Sequence, residues 1–303
     1  MKIGAFEIIE PIPNLVKPHV ISILYPWVDA GSAGTLTLAR MEEMFQSTKL
    51  GELSRPGDFF DFTRYRPTTY LRDGERLVSI PNTSISYAQR EGFPDLIFIN
   101  ILEPHHMAED YIDSLLKLFE FFDVQRHCRV GAMWNAVPHT RPLLLTGQAS
   151  GNWSKKLADL VTQRQSIYEG PSTIMGLLNI EQANRDIESI SIMTHLPQYL
   201  QLEEDYSGAA RLLEALGALY DINEDFPEYL LGVKQYEEFD IQMENSSATK
   251  NLIDQLEQEY DNRTDIPQSD HVPQDDLMSL SPDVQQFLID AEQHLDQNDD
   301  PTS

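Results

Sequence analysis

The pattern of apolar and polar positions divides the first 222 residues into alternating strand-like and helix-like segments. Short β-branched and apolar runs, typical of buried strands, occur at 20–25 (VISILY), 96–102, 128–137 and 189–196. Apolar residues at helical spacing follow each run, at 35–45, 108–122, 150–163 and 206–220. Strands that alternate with helices favour a mixed, largely parallel sheet covered on both faces. We therefore expect a three-layer α/β sandwich.

A different pattern, DFFDFTRYRPTTYLRDGERLVSI, fills residues 58–80 between the first two units. Asp73-Gly74 between alternating apolar residues predicts a β-hairpin, so antiparallel strands should contribute to the sheet. Arg64 and Arg66, two positions apart, point to one face of an extended segment. In a chain of net charge −27 we expect them to pair with carboxylates at a domain edge or an oligomer interface. A site for an acidic ligand is the alternative.

The composition changes near residue 236, after which 18 acids stand against two bases, so the last 68 residues carry −16 of the total −27. We predict an α/β domain over residues 1–235 and a helical extension over 236–262, which has Leu252, Leu256 and Tyr260 at four-residue spacing. The polar, proline-punctuated stretch 263–280 is typical of a disordered acidic linker, and 298–303 of a disordered end.

A short amphipathic helix is predicted over residues 281–297, where Ser281 provides an N-cap and Pro282 the first helical position. Its apolar stripe consists of Val284, Phe287, Leu288, Ala291 and Leu295. Such a helix needs a surface to lie on, and two interpretations stay open. It docks on its own domain, or it docks on a partner.

The charge balance and the apolar runs exclude several classes of function. With 49 acids against 22 bases, we expect neither nucleic acid nor anionic membrane as a partner. No run of eighteen apolar residues and no signal-peptide pattern is present, so we expect a cytoplasmic protein. The single cysteine, Cys128, excludes an intrachain disulfide, and its apolar surroundings favour a core position.

Polar side chains follow each predicted strand. Trp27 and Asp29 come after the first, Glu103 after the second, and His139 and Arg141 after the third; His195 lies at the end of the fourth, and Tyr199 follows it. If these strands run parallel, the side chains meet at the carboxyl edge of the sheet, where open α/β sheets bind ligands. We predict no complete catalytic constellation, no metal site and no cofactor.

His139 and Arg141 allow two interpretations. Pro138 and Pro142 flank them, which favours a rigid corner of the chain. In the alternative, His139 acts as an acid or base and Arg141 holds an anionic group of a ligand. Gly31, within DAGSAGT, belongs to a tight strand-to-helix turn that lacks the spacing of known phosphate-binding loops.

Six motifs occur in an order that resembles the PAC2 family, the proteasome assembly chaperone family, over roughly residues 1–262. They are WVDAGSAG, DFTRYRP, LEP, VPHTRP, GPSTIMGLL and HLPQY, and the acidic tail resembles the actinobacterial-type branch. The candidate pocket or motif residues Trp27, Asp29, Gly31, Arg64, Arg66, Glu103, His139, Arg141, His195 and Tyr199 all lie in these motifs or directly beside them.

The resemblance implies a fold similar to that of purine nucleoside phosphorylases and assembly into homo-oligomers. It also implies a non-enzymatic role as an assembly chaperone or interaction scaffold, with an unidentified protein partner related to proteasomes. The alternative is a small-molecule-binding protein or enzyme that uses a phosphorylase-like pocket. Archaeal relatives bind proteasomes through a C-terminal hydrophobic–tyrosine–any tripeptide. The present sequence ends Pro301-Thr302-Ser303, so we do not expect docking of that kind.

Overall fold

The computed structural model describes residues 1–158, 160–163 and 172–264. The predicted amphipathic helix at 281–297, the end at 298–303, most of the linker and the first two residues of GPSTIMGLL lie outside the described residues. The strands are β1 (Lys2–Ile3), β2 (Phe6–Ile8), β3 (His19–Tyr25), β4 (Thr48–Leu53), β5 (Thr68–Arg72), β6 (Glu75–Ser79), β7 (Ser84–Ala88), β8 (Leu96–Leu102), β9 (Arg126–Asn135), β10 (Leu145–Ala149), β11 (Thr162–Gln163) and β12 (Glu188–Pro197). The α-helices are α1 (Ala33–Met44), α2 (Ala108–Phe121), α3 (Ser154–Ala158), α4 (Ile174–Ala183), α5 (Tyr206–Tyr220), α6 (Pro227–Met243) and α7 (Ser247–Thr264).

Ten of these strands form one sheet in the order β1-β2-β4-β7-β8-β3-β9-β12-β10-β11. The four central strands, β8, β3, β9 and β12, are parallel neighbours. Strands β7 and β10 pair antiparallel at the two sides of this centre. The sheet is therefore mixed with a parallel centre, as predicted, and the carboxyl ends of the central strands lie along one edge.

Alternate residues of the central strands bury their side chains on opposite faces of the sheet. On β3, Val20 and Leu24 pack into the core under α2 and α4. Ile21 and Ile23 pack into the core under α1 and α5. Each fully buried Val, Leu or Ile contributes about 1.5–3 kcal/mol to stability. The two cores make the domain a three-layer sandwich, which confirms the predicted fold class.

The predicted hairpin at Asp73-Gly74 is present as β5 and β6, which form a separate two-stranded sheet. Asp73 and Gly74 have φ angles of 52° and 84°, the left-handed conformations that a two-residue hairpin turn requires. Residues 66–80 are exposed except Leu77, which is half-buried. The hairpin therefore adds nothing to either core of the domain.

The last two helices lie against the carboxyl end of the domain. Helix α6 packs on α5, and its buried Glu228 forms an ion pair with Arg40 of α1 at 2.7 Å. Helix α6 also spans the predicted boundary between residues 235 and 236, and the domain limits stay a prediction. Helix α7 contains Leu252, Leu256 and Tyr260 of the predicted extension and buries Leu252 and Leu256. Among the described helices, none is both long and apolar enough to cross a membrane.

Candidate functional site

The loop between β9 and β10, residues 136–143, forms a corner at the carboxyl edge of the sheet; we call it the corner segment. His139 is buried within it and contacts Tyr199, just after β12, and Asp240 of α6; Ala136 contacts the apolar residues of α7. Pro138 and Pro142 limit the backbone conformations on both sides of His139 and Arg141. The corner segment therefore presents its polar groups to the two C-terminal helices.

The imidazole of His139 joins Tyr199 to Asp240. The backbone N–H of His139 donates to the Tyr199 hydroxyl at 2.8 Å, and that hydroxyl lies 2.6 Å from Nδ1. Nε2 lies 2.9 Å from Oδ1 of Asp240 on α6. A carboxylate only accepts, so Nε2 carries a proton, and in the neutral imidazole the hydroxyl donates to Nδ1. Both ring nitrogens are used, and burial raises the pKa of Tyr199.

Arg141 and Thr140 attach the corner segment to α7. The guanidinium of Arg141 donates two hydrogen bonds to Asp261, from Nε at 3.0 Å and from Nη2 at 2.9 Å. It also lies 3.0 Å from Glu257, which accepts a hydrogen bond from the hydroxyl of Thr140. The Tyr260 hydroxyl donates to the carbonyl of Pro142 at 2.8 Å. These contacts hold the end of α7 against the corner.

His195, on β12, lies at the same edge of the sheet but serves a different contact. Its Nδ1 lies 2.9 Å from the Asn135 amide nitrogen, and its Nε2 lies 2.8 Å from the Thr146 hydroxyl. Asn135 Oδ1 accepts from the N–H of Ala136, so its NH₂ group faces the imidazole and donates. His195 thus links three adjacent strands of the sheet.

Asp29 occupies the position at which a helix N-terminus would hold an anion. Its carboxylate accepts from the N–H groups of Gly34 and Thr35 at 2.8 and 3.1 Å, and from the Thr35 hydroxyl at 2.5 Å. Burial raises the pKa of this carboxyl, and the three hydrogen bonds oppose the rise. The carboxylate of the chain itself therefore fills the site that a phosphate would need.

Gly31 brings this turn close to the start of α5. Its φ is +55°, and a Cβ there would lie 2.7 Å from Cβ of Asp205. The carbonyl of Gly31 accepts from the Asp205 N–H at 2.7 Å, and the Asp205 carboxylate accepts from the Tyr236 hydroxyl on α6 at 3.0 Å. Gly31 is thus required by a close approach that ties α5 and α6 to the carboxyl edge.

The remaining candidates do not join the corner segment. Glu103 accepts from the N–H of Ile174 at 2.9 Å and so holds the start of α4. Trp27 is 72% exposed. Arg64 makes one exposed contact with Asp61 at 3.9 Å, and Arg66 is exposed. The sequence-predicted residues therefore divide between a buried corner and an open surface.

A groove of about 1070 Å³ lies beside the corner segment, between α5 and α6. His139, Arg141 and Leu143 border it on the corner side, and Tyr229, Val233 and Tyr236 border it on α6. Asp240, Glu257, Asp261 and the exposed face of α6 were absent from the sequence predictions. The apolar residues of α6 are spread around the whole helix. This distribution is the feature of the sequence that could have indicated the exposed face of α6.

The sequence matches the model of the PAC2 family over residues 23–232, more than two thirds of the chain. The chain belongs to the PAC2 family. The match includes every predicted pocket residue from Trp27 to Tyr199, and it ends within α6. No curated protein matched the sequence.

Solved structures share the PAC2 fold. A protein of unknown function from Corynebacterium glutamicum is 20% identical with a TM-score of 0.77, over 86% of this chain and 98% of that one. A PAC2 family protein from Streptomyces avermitilis is 25% identical with a TM-score of 0.68, over 77% and 98% of the two chains. A proteasome-assembly chaperone homologue from Mycobacterium tuberculosis is 22% identical with a TM-score of 0.66, over 78% and 99%. These similarities to actinobacterial proteins agree with the predicted branch.

Proposed function

We propose that this PAC2 protein is a non-enzymatic, self-assembling cytoplasmic protein that acts as an assembly chaperone or interaction scaffold. One observation carries the proposal: the groups at the carboxyl edge that could perform chemistry form tertiary contacts instead. His139, Asp29 and His195 each bond to side chains or backbone of other elements. A general acid or base must be within reach of a substrate and able to exchange a proton with it.

The nature of the partner follows from the family. The Mycobacterium tuberculosis relative is a proteasome-assembly chaperone homologue, and family membership supports a chaperone-type role for this chain. We therefore propose a protein partner, with proteasome subunits as the first candidates. The surplus of 27 negative charges disfavours polyanionic partners.

Native mass spectrometry of the protein purified gently from its own host tests this proposal. We expect a homo-oligomer that carries a co-purifying protein, identified by its peptides, and no small ligand. A homo-oligomer with a reproducible small added mass and no protein partner would overturn the scaffold role.

The groove favours a second candidate function, the binding of a small molecule. Its volume of about 1070 Å³ is at the upper end of small-molecule sites, which span roughly 300–1,000 Å³, and His139 and Arg141 lie at its rim. If this function holds, His139→Gln and Arg141→Met remove the added mass and leave the thermal midpoint unchanged. If the corner segment is structural, the same changes lower the midpoint and no added mass is present.

A further inference from the structure

The segment 64–80, which we call the arm, packs on a core of the domain through Tyr65 at its base, and residues 66–80 project beyond it. Its strands β5 and β6 pair with each other alone, and Leu71, Val78 and Ile80 are exposed, Leu71 by 72%. Tyr70 and Leu77 are cross-strand neighbours on the opposite face of the hairpin. Both faces of the arm therefore present apolar side chains.

An isolated two-stranded hairpin is marginally stable in water, and stability normally requires a third strand or a packing surface. The described part of the chain provides no such surface for β5 and β6. Exposed apolar patches of this kind usually mark an interaction site. The hairpin is therefore left with apolar surface that a partner can cover.

The charge of the arm is opposite to that of the whole chain. It contains four arginines against two acids, whereas the chain has a net charge of −27. Arg66, Arg72 and Arg76 are exposed and form no ion pair with any described residue. Among the described residues, the arm thus carries cations without an ion-pair partner beside apolar side chains.

The groove has the complementary chemistry. Its lining includes the apolar residues Ala210, Ala218, Phe226 and Val233, together with five acids and two arginines. Both arginines already have acidic partners: Arg141 pairs with Asp261 and Arg211 with Glu214. Three of the acids, Glu224, Asp225 and Glu237, form no ion pair with any described residue. Within the described part of the chain, the groove therefore offers anions without an ion-pair partner beside apolar side chains.

The sheet order places the two surfaces at one end of the domain but on opposite sides. The arm connects β4 to β7, which begins opposite Asn100 near the carboxyl end of β8. The groove borders the corner segment, which leads into β10 on the other side of the sheet. One copy cannot bring its arm to its own groove without crossing the sheet. Neighbouring copies in the same orientation can join arm to groove.

We propose that the arm of one copy docks in the groove of the next copy. The proposal rests on the self-assembly included in the proposed function and identifies the two surfaces that form its interface. Because the arm and the groove are different surfaces, each contact leaves one arm and one groove free for further copies. Repetition closes a ring when the rotation between copies allows it.

Light scattering on the full chain and on two kinds of variant tests the contact. The arm variant is Arg72→Glu with Arg76→Glu, and the groove variant is Val233→Arg, an exposed position on α6. We expect the full chain to have a multiple of 34.6 kDa and each variant to be a monomer. Arg55→Glu with Arg185→Glu is the matched control. It makes the same charge change at exposed residues outside both surfaces and should keep the molar mass of the unmodified chain.

Mixing the two variants gives the sharper result. The arm variant keeps its groove and the groove variant keeps its arm, so the mixture contains one functional contact. We expect a 1:1 dimer of twice 34.6 kDa that grows no further. Circular dichroism and thermal unfolding of each variant establish that it is folded before mixing.

Three outcomes would overturn the inference: a monomeric full chain, an arm variant that keeps the original molar mass, or a folded pair of variants that does not associate. The second outcome leaves self-assembly intact through another surface, so the proposed function survives it. A monomeric full chain would also contradict the self-assembly that the proposed function includes.

Discussion

His127 is fully buried in the sheet between the Ser22 hydroxyl, 2.6 Å from Nε2, and the Gln182 amide, 2.7 Å from Nδ1. Burial lowers its pKa to about 3 and that of His19 to about 4, from 6.5. Both histidines are therefore neutral in the folded protein at a pH where the unfolded chain binds protons. Acid then favours the unfolded state.

We expect the free energy of unfolding to be highest above pH 6.5 and to fall as the pH drops below it. The loss should be about 2 kcal/mol per histidine at pH 5, at about 1.4 kcal/mol for each pKa unit. His127→Gln should reduce the slope between pH 6.5 and pH 5 by about half, because His19 still contributes. Urea unfolding at several pH values measures this slope. Equal slopes in the two proteins would contradict the assignment of half of this pH dependence to His127.

Tyr199 carries a hydroxyl that serves two hydrogen bonds of His139. Tyr199→Phe leaves a backbone N–H and a ring nitrogen without their partner, so we expect unfolding to become easier by about 1–3 kcal/mol. In a protein that already carries His139→Ala, Tyr199→Phe should lower the free energy of unfolding by a smaller amount, because the two residues form one hydrogen-bond network. Tyr206→Phe is the control, because its hydroxyl bonds only to the exposed Glu204. Chemical denaturation of the variants measures each effect.

Helix α7 packs on the domain through a small cluster in which Leu252 and Leu256 contact Ala136 and Tyr199. This cluster is separate from the two main cores. Local stability follows the contacts that an element makes, so α7 should open more easily than the central strands.

Leu256→Ala should therefore accelerate amide hydrogen exchange throughout α7 and leave exchange in α5 unchanged. The removed methyl groups weaken the only apolar cluster that holds α7 within the described residues. Gln255→Ala, an exposed neighbour on the same helix, should leave exchange in α7 unchanged. Faster exchange across the whole domain would show instead that α7 unfolds together with the cores.

The local pattern of apolar and polar residues was sufficient to predict the strands and helices with a strong periodicity. The predicted ranges 96–102 and 206–220 agree with β8 and α5 at both ends. The helix predicted within 150–163 was too long: α3 ends at Ala158, and the β-branched Thr162 lies in a short strand. Residues 227–235 of helix α6 were not predicted to be helical, because the apolar residues of α6 do not form one stripe.

The sequence predicted the residues of the corner segment but not the residues of α6 and α7 that they contact. The sequence indicated that His139 and Arg141 form a corner, but their partners Asp240 and Asp261 lie 101 and 120 positions further along the chain. No local period encodes contacts at such a separation. The groove likewise depends on how α6 lies on α5, which is decided by tertiary packing.

At the scale of the whole molecule, the arm and the groove both lie before α7. Removing residues 265–303 deletes ten acids and no base and leaves both surfaces present. We therefore expect the truncated protein to keep its subunit number. Each copy carries less negative charge, and weaker repulsion between copies does not oppose association. Light scattering measures this. A monomeric truncated protein would instead assign the interface to the tail.

The single cysteine has a practical consequence. Cys128 lies buried on β9, and burial raises the pKa of its thiol to about 12, so it reacts poorly with maleimides. A cysteine introduced at Asp73, the exposed tip of the arm, would be the one reactive thiol. A dye there could report distances between subunits by energy transfer without any need to replace the native Cys128.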